Sequence, residues 1–184
     1  MRLNERTLSA ILDIRRNATN YYGLPLPFPL PKGTIHAHIR AGDMANEMRL
    51  VPSHSYLDAA VRLTVDSPFF YIKTLYVSSD SSERIQDCLD TLPSNWTMLH
   101  AHMFRQSDGQ DNLLIQQPGY AGGIGQLALR HLSELMIAVE ADAWIGTRRS
   151  NWCRLIDEMR CVITDKCHGI FKEVGDTQPG VYPW

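Results

Sequence analysis

The sequence predicts an α/β domain with a Rossmann-like, mainly parallel sheet between two layers of helices. Three observations predict this fold class. Short apolar runs alternate along the chain with segments of helical periodicity, which is typical of β-α-β units. Several apolar runs lead directly into polar residues, as strands do before a ligand-binding loop. The 184 residues are 44% hydrophobic and 21% charged, which is enough for one full core.

The first 33 residues precede the predicted sheet and are interpreted as a helix and a rigid connector. Apolar residues between Leu8 and Tyr22 recur at helical spacing with charged residues between them, which indicates an amphipathic helix. Prolines at alternate positions of 25–31 then exclude a helix and favour an extended chain. We therefore divide the chain into residues 1–33 and a Rossmann-like domain of residues 34–184.

Within that domain, short apolar runs predict four or five strands, and periodic segments between them predict four helices. The predicted strands are residues 34–40, 71–77, 96–100 and 141–147, and the candidate for a fifth lies near residues 169–174. The predicted helices are residues 55–63, 82–92, 125–139 and 150–159, and residues 105–120 are a polar loop. Because a helix separates each pair of consecutive strands, we expect parallel pairing.

Composition excludes several classes of function. Eighteen Lys and Arg against twenty Asp and Glu give a formal charge of −2, which excludes a generally basic nucleic-acid binder but permits a local anion pocket. No run approaches the roughly 18 apolar residues of a spanning helix, so no membrane segment is expected. The four cysteines form no CxxC pair, so we expect no structural metal, and their redox state stays open.

Polar side chains follow three of the predicted strands. His38, Arg40 and Asp43 end the first strand, Asp80 follows the second, and residues 147–151 follow the fourth at a helix start. The carboxyl ends of parallel strands meet at one edge, where an arginine, hydroxyls and helix amides suit a phosphate group. A nucleotide is therefore the predicted ligand. The dinucleotide glycine fingerprint and the P-loop pattern are absent, which argues against NAD-type and ATPase functions.

Three segments resemble motifs of the GDP-fucose-dependent fucosyltransferases, the group of alpha-1,6-fucosyltransferase, NodZ and the protein O-fucosyltransferases. Residues 38–43 (HIRAGD) resemble H-x-R-x-x-D, and residues 76–80 (YVSSD) resemble the strand end Y-[LV]-A-[ST]-D. Residues 141–154 resemble A-D-x-x-[VI]-x-T-x-S-S-[QN]-x-x-R. The resemblance covers residues 34 to about 160 and keeps the family's order.

The resemblance implies an inverting glycosyltransferase that moves fucose from GDP-fucose to a hydroxyl of a glycan or protein. It also implies that the reaction needs no metal and no cofactor beyond the donor substrate, and a location in the Golgi or secretory pathway. The chain would correspond to the donor-binding lobe, the second of the family's two Rossmann-like lobes.

The resemblance also assigns roles to individual residues. His38 and Glu134 would recognise guanine, since a carboxylate accepts hydrogen bonds from both N1 and N2 of that base. The residues expected to contact the substrate are His38, Arg40, Asp43, Asp80, Glu134, Thr147, Arg148, Arg149, Ser150 and Asn151. Among them, Arg40, Ser150 and Asn151 would hold the diphosphate.

Glu47 and Arg40 are the predicted catalytic residues. Glu47 lies nine residues after His38 and nine before Tyr56, close to the spacing of the family's glutamate. It would remove the proton of the acceptor hydroxyl as that oxygen attacks the anomeric carbon. Arg40 would neutralise the departing GDP.

The sequence departs from the family pattern in one charge and in length. Ala41 stands where the family has a second arginine, and Arg148 or Arg149 is a candidate replacement. Because only one lobe is represented, the alternative is a non-catalytic or truncated nucleotide-sugar-binding module without an acceptor lobe. Whether this chain alone is an enzyme stays open.

Several of these residues also have purely structural explanations. His36 is expected to be a satisfied strand histidine, and Cys153 a small packing residue. Asp80 is either a helix cap or a ligand contact, and Glu134 is either an exposed helix residue or a guanine contact. Without the resemblance, Glu47 would be a solvated loop acid.

Overall fold

The five strands form one sheet in which every neighbouring pair is parallel, in the order β3-β2-β1-β4-β5. The computed structural model describes residues 4–20, 23–41, 50–101, 123–167 and 169–175. The strands are β1 Ile35–Ile39, β2 Thr74–Ser79, β3 Thr97–Leu99, β4 Ala143–Gly146 and β5 Ile170–Glu173. The helices are α1 Glu5–Arg16, α2 Ser53–Asp66, α3 Ser82–Thr91, α4 Gly123–Glu140 and α5 Asn151–Thr164, and Pro68–Phe70 form a 3-10 turn. The predicted α/β fold class with a parallel sheet is confirmed.

The central strand β1 is buried on both faces, which explains its sequence Ile-His-Ala-His-Ile. Its isoleucines and alanine pack with α2 and α3 on one face of the sheet. Its histidines lie on the opposite face, where His36 stacks on Tyr76 with the ring centroids 5.5 Å apart. Since successive side chains of a strand point to opposite faces, one five-residue segment contributes to both layers of the core.

Most elements begin or end a few residues away from the predicted boundaries, and local backbone geometry explains two of these differences. Helix α1 ends at Arg16 instead of near Tyr22, and the side-chain N–H of Asn17 bonds to the carbonyl of Asp13 at this end. Beyond it the chain pairs with the proline-rich segment instead of continuing the helix, since the carbonyl of Ala18 accepts the N–H of Leu26 and Thr19 forms a β-bridge with Pro25. Strand β2 begins at Thr74 instead of residue 71. Lys73 has φ +54°, a left-handed conformation that a strand cannot include.

Helix α1 is fixed to α4 by a buried ion pair. The guanidinium of Arg15, whose side chain is 1% exposed, donates to both carboxylate oxygens of Glu140 at 2.8 and 2.7 Å. Arg15 also donates to the carbonyl of Pro27, and Glu140 accepts the N–H of Leu30. One pair therefore holds the helix, the proline-rich segment and the main domain together.

A second group of cations neutralises the carboxyl end of α4. Lys166 donates to the carbonyls of Glu140 and Ala141, and Arg160 donates to the carbonyls of Ala141 and Asp142. These are the last carbonyls of a helix and the residues after it, where positive charge is favourable. A disulfide between Cys161 and Cys167 closes the same segment, which answers the question of cysteine pairing that the sequence left open.

We predict that Arg15→Ala lowers the free energy of unfolding by about 3 kcal/mol, because it leaves the half-buried Glu140 carboxylate without its cation. Urea denaturation followed by circular dichroism measures the change. Arg16→Ala is the matched control on the same helix, and it should change the free energy by less than about 0.5 kcal/mol because its pair with Asp13 is exposed. Equal losses in the two variants would contradict this role of the Arg15–Glu140 ion pair.

Candidate functional site

The ends of β1 and β2 are joined by a carboxylate. Asp80 forms an ion pair with the guanidinium of Arg40 through one oxygen, and its other oxygen accepts the N–H of Ala41 at 2.9 Å. The side chains of Arg40 and Asp80 are 22% and 11% exposed, so the pair lies near the surface of this edge. The cap of α3 is Ser81, so Asp80 is not a helix cap. The ion pair with Asp80 fixes the orientation of the Arg40 side chain at the end of β1.

His38 lies two residues before Arg40 on β1, and its ring is hydrogen-bonded to Ser78 on the neighbouring strand β2. Its Nδ1 lies 2.9 Å from Oγ of Ser78, and the same hydroxyl lies 2.8 Å from Nε2 of His36. All three residues are buried, with at most 5% of their surface exposed. His36 is thus a strand histidine that is paired inside the sheet through Nε2, as the sequence predicted, although its buried Nδ1 has no hydrogen-bond partner among the described residues.

The connection from β4 to α5 brings hydroxyl and amide groups to the same edge. Ser150 caps α5 by accepting the N–H of Cys153 at its side-chain oxygen, and the hydroxyl of Thr147 accepts the N–H of Arg149. A Cβ at Gly146 would lie 2.9 Å from the sulfur of Cys153. Glycine is thus required for the helix start to approach the strand end this closely.

Two arginines of this turn differ in their surroundings. Arg148 is exposed, its guanidinium lies 4.6 Å from the ring centroid of Phe171, and its N–H donates to Glu173. Arg149 is half-buried, and within the described ranges its guanidinium has no hydrogen-bonding or ionic partner. Arg149 is thus the cation of this turn that a ligand can recruit without breaking an existing contact.

Glu134 lies in the middle of α4 and is 7% exposed, which rules out the exposed helix residue that was the alternative. One turn before it, His131 packs edge-on against Trp152 at 6.0 Å between ring centroids. Trp152 in turn lies 6.4 Å from the ring of His38. A continuous row of aromatic rings therefore connects the region of Glu134 with the strand edge.

The described residues thus bring His38, Arg40, Asp80 and the turn of residues 147–150 to one edge of the sheet. Asn151 begins α5 there and accepts a hydrogen bond from the guanidinium of Arg154. Asp43 and Glu47 lie outside the described residues.

Sequence reasoning missed Ser78, His131 and Trp152 as members of this site. Trp152 directly follows the predicted phosphate turn, and His131 precedes Glu134 by one helical turn, so helical spacing was the available signal. The sequence gives no indication that the Ser78 hydroxyl contacts two histidines of the neighbouring strand, because that contact depends on how β1 and β2 pair.

Burial controls the ionisation of two groups beside the site. The pKa of His36 is lowered well below its ordinary value of 6.5, chiefly by desolvation and further by the positive charges of His38 and Arg160. The pKa of the Cys153 thiol is raised by burial to about 11. Cys153 is therefore a neutral packing residue, as expected, and His36 is a neutral imidazole.

Across the described ranges, we find no helix with the length and apolar character needed to cross a bilayer.

Comparison with known proteins identifies similar solved structures but no sequence relatives. No protein-family model and no curated protein matches the sequence. The chain is similar to the apo form of POFUT1, with 14% identity, 96% of this chain and 48% of that chain covered, and a TM-score of 0.45. The complex of POFUT1 with GDP gives 12% identity, 95% and 48% coverage, and a TM-score of 0.42.

The chain therefore spans about half the length of the structures it matches. POFUT1 is a GDP-fucose protein O-fucosyltransferase, from the group whose motifs the sequence resembles.

Because folding keeps His36 neutral, we predict that protonation in the unfolded state destabilises the protein as the pH falls. The folded pKa lies below 6.5, so this contribution is complete above pH 6.5 and is lost at lower pH. His36→Gln, which cannot titrate, should lose less stability than the wild type, by about 1.4 kcal/mol per pH unit below 6.5.

Urea titrations between pH 7 and pH 5 measure this difference. His54→Gln is the control, because His54 is exposed. Its pH dependence should match that of the wild type. A His36→Gln variant with the wild-type slope would contradict the prediction.

Proposed function

We propose that this chain is the donor-binding lobe of a GDP-fucose-dependent glycosyltransferase, which binds GDP-fucose at the carboxyl edge of β2, β1 and β4. The observation that carries the proposal is the convergence of motif residues from three separate parts of the sequence at that edge. His38 and Arg40 end β1, Asp80 follows β2, and the turn of residues 147–150 follows β4. Fucose transfer to a glycan or protein hydroxyl is the corresponding reaction.

The diphosphate would lie between Arg40 and the start of α5. The first N–H groups of a 14-residue helix have no partners inside the helix, and they carry the positive end of its dipole. Arg40 faces a carboxylate in the described structure, so the phosphates would compete with Asp80 for its guanidinium. Arg149 would supply a second cation from the same turn. Two cations and a helix start match the charge of a nucleoside diphosphate.

Guanine would be recognised deeper in the site, by Glu134 and His38. Glu134 is a buried carboxylate, and a carboxylate can accept hydrogen bonds from both the N1 and the N2 hydrogens of guanine. Trp152 packs against the rings of both His38 and His131, and His131 precedes Glu134 by one helical turn, so these rings would provide flat surfaces for a base. Glu47 is proposed as the base that deprotonates the acceptor hydroxyl.

The second candidate function is a nucleotide-sugar-binding module without catalysis. Ala41 favours it, because it stands at the position of the motif's second arginine and contributes only its N–H, to Asp80. A site with one fewer cation would bind GDP and stabilise a departing GDP less well. Measuring binding and turnover separately distinguishes the two candidates, since the module binds GDP-fucose and transfers nothing.

We predict that the chain binds GDP and GDP-fucose in calorimetric titrations and binds ADP more weakly. Arg40→Ala should raise the Kd for GDP by about 10-fold or more, because a charge-assisted contact to phosphate contributes roughly 1.5 to 3 kcal/mol. Arg62→Ala, on the exposed face of α2, is the matched control and should bind GDP as the wild type does. No response of the wild type to any of the three nucleotides would contradict both candidate functions.

Guanine selectivity gives a separate prediction for Glu134. Inosine diphosphate differs from GDP only in lacking the exocyclic N2 group, so wild-type protein should prefer GDP. Glu134→Gln should reduce that preference by about 10-fold, since an amide oxygen replaces a charged acceptor. Parallel titrations with the two nucleotides measure the ratio of Kd values. An unchanged ratio would show that Glu134 does not contact the base.

A further inference from the structure

Two asparagines of the chain stand in the Asn-x-Thr pattern of N-linked glycosylation, in the segments Asn17-Ala18-Thr19 and Asn95-Trp96-Thr97. The pattern is only three residues long and also arises by chance, so the sequence alone does not select either asparagine. The structure distinguishes the two, because their side-chain amides have different surroundings.

Asn95 lies on an exposed turn that leads into β3. The N–H of Trp96 donates to the carbonyl of Pro93 at 2.9 Å and closes this turn, and the Trp96 side chain packs against the core beside α2 and α3. Asn95 itself is exposed, and within the described ranges its side-chain amide makes no hydrogen bond. Its nitrogen is therefore accessible to a modifying enzyme.

Thr97, the third residue of the same pattern, is also exposed. It is the first residue of β3, and its N–H donates to the carbonyl of Lys73. Among the described strands β3 pairs only with β2, so it lies at the edge of the sheet. The asparagine amide and the threonine side chain can thus be reached together from solvent, as a glycosylation site on a surface loop requires.

Asn17 is instead built into the end of α1. Its side-chain amide donates to the carbonyl of Asp13 at 2.9 Å. Thr19 forms a β-bridge with Pro25, which places the rest of this pattern against the proline-rich segment. The nitrogen of Asn17 is thus already used in the fold, whereas that of Asn95 is not.

The disulfide between Cys161 and Cys167 is a second, independent observation. Both residues are exposed, so reducing agents would have access to the bond. Disulfides form and persist in oxidising compartments, and N-linked glycans belong to proteins of the secretory route, which is such a compartment. The bond therefore indicates a chain that meets the glycosylating machinery.

We propose that Asn95 is an attachment site for an N-linked glycan. The donor is an oligosaccharide linked to a lipid diphosphate. The amide nitrogen of Asn95 forms a bond to the anomeric carbon of the first sugar and loses one proton. The bond from that carbon to the phosphate oxygen breaks, and the lipid diphosphate leaves with the bonding electrons.

The glycan does not obstruct the proposed nucleotide site. Asn95 precedes the amino end of β3, and all neighbouring strands are parallel, so it lies at the edge of the sheet opposite to the strand ends at Arg40 and Asp80. Attachment at Asn95 is therefore compatible with nucleotide binding and does not depend on the proposed function.

Secretion of the full chain from mammalian cells, behind a cleavable secretion signal, tests the proposal. Peptide-N-glycosidase F removes the glycan, and in heavy-oxygen water it leaves a labelled aspartate in place of the modified asparagine. We expect peptide mass spectrometry to find the label at position 95, and the intact protein to lose the mass of one glycan. Secreted protein with an unmodified Asn95 would overturn the proposal.

Four variants separate this site from the other asparagine. Asn95→Gln and Thr97→Val remove the pattern with little change in side-chain size, Thr97→Ser retains it, and Asn17→Gln is the matched control. We expect the glycosidase to cause no loss of mass in the first two variants and the wild-type loss in the other two. A loss of mass that persists in Asn95→Gln, or that disappears in Asn17→Gln, would overturn the proposal. Protein retained in the cells is analysed as well, so a poorly folded variant still reports its glycan.

Thiol labelling of the secreted protein tests the disulfide separately. We expect labelling of two thiols after denaturation, those of the buried Cys88 and Cys153. Four labelled thiols would overturn the assignment of the chain to an oxidising compartment, on which the proposal depends.

Discussion

Parallel pairing of β1 with β2 on one side and with β4 on the other places three strand ends at one edge of the sheet. Everything in the candidate site depends on this arrangement. It sets Arg40 beside Asp80, and it brings the start of α5 next to the end of β1. Antiparallel pairing at either junction would move one of these groups to the opposite edge, too far away to act on one ligand.

The fold could be predicted from the sequence because each strand is a short apolar run separated from the next by a periodic helix. The order of the predicted elements agrees with the structure, and the errors lie at their ends. Side chains there bond to nearby backbone, as Asn17 does at the end of α1, or the backbone leaves the extended region, as at Lys73. Such local events leave little trace in hydrophobic periodicity.

The site could be predicted only in part, for a different reason. Strand ends identify residues such as Arg40, Asp80 and Ser150, because their position along the chain fixes their position in space. The row from His36 through Ser78 to His38 joins two strands whose residues are about 40 positions apart, so a contact across the sheet decides it. The burial of Glu134 could not be predicted from the sequence either, since it depends on packing between α4 and the rest of the domain. The residues at the edge of the site could therefore be predicted from their positions after the strands, whereas those in its interior are determined by tertiary packing.

Charge in the site is balanced by contacts that a nucleotide would replace. Arg40 is neutralised by Asp80, while Arg149 has no such partner in the described structure. Binding of a diphosphate at the start of α5 would therefore rearrange the first pair and use the second cation directly. Such a site would keep Arg40 paired when no ligand is bound and would still offer positive charge to an anion.

A crystal structure of the chain grown with GDP tests the central claim most directly. The account predicts that the diphosphate oxygens contact the backbone N–H groups of Asn151 and Trp152 and the guanidinium of Arg40. It also predicts that the base lies on the side of the site occupied by Glu134. Well-defined GDP bound at another face of the molecule, with Arg40 and Ser150 far from any phosphate, would contradict the account.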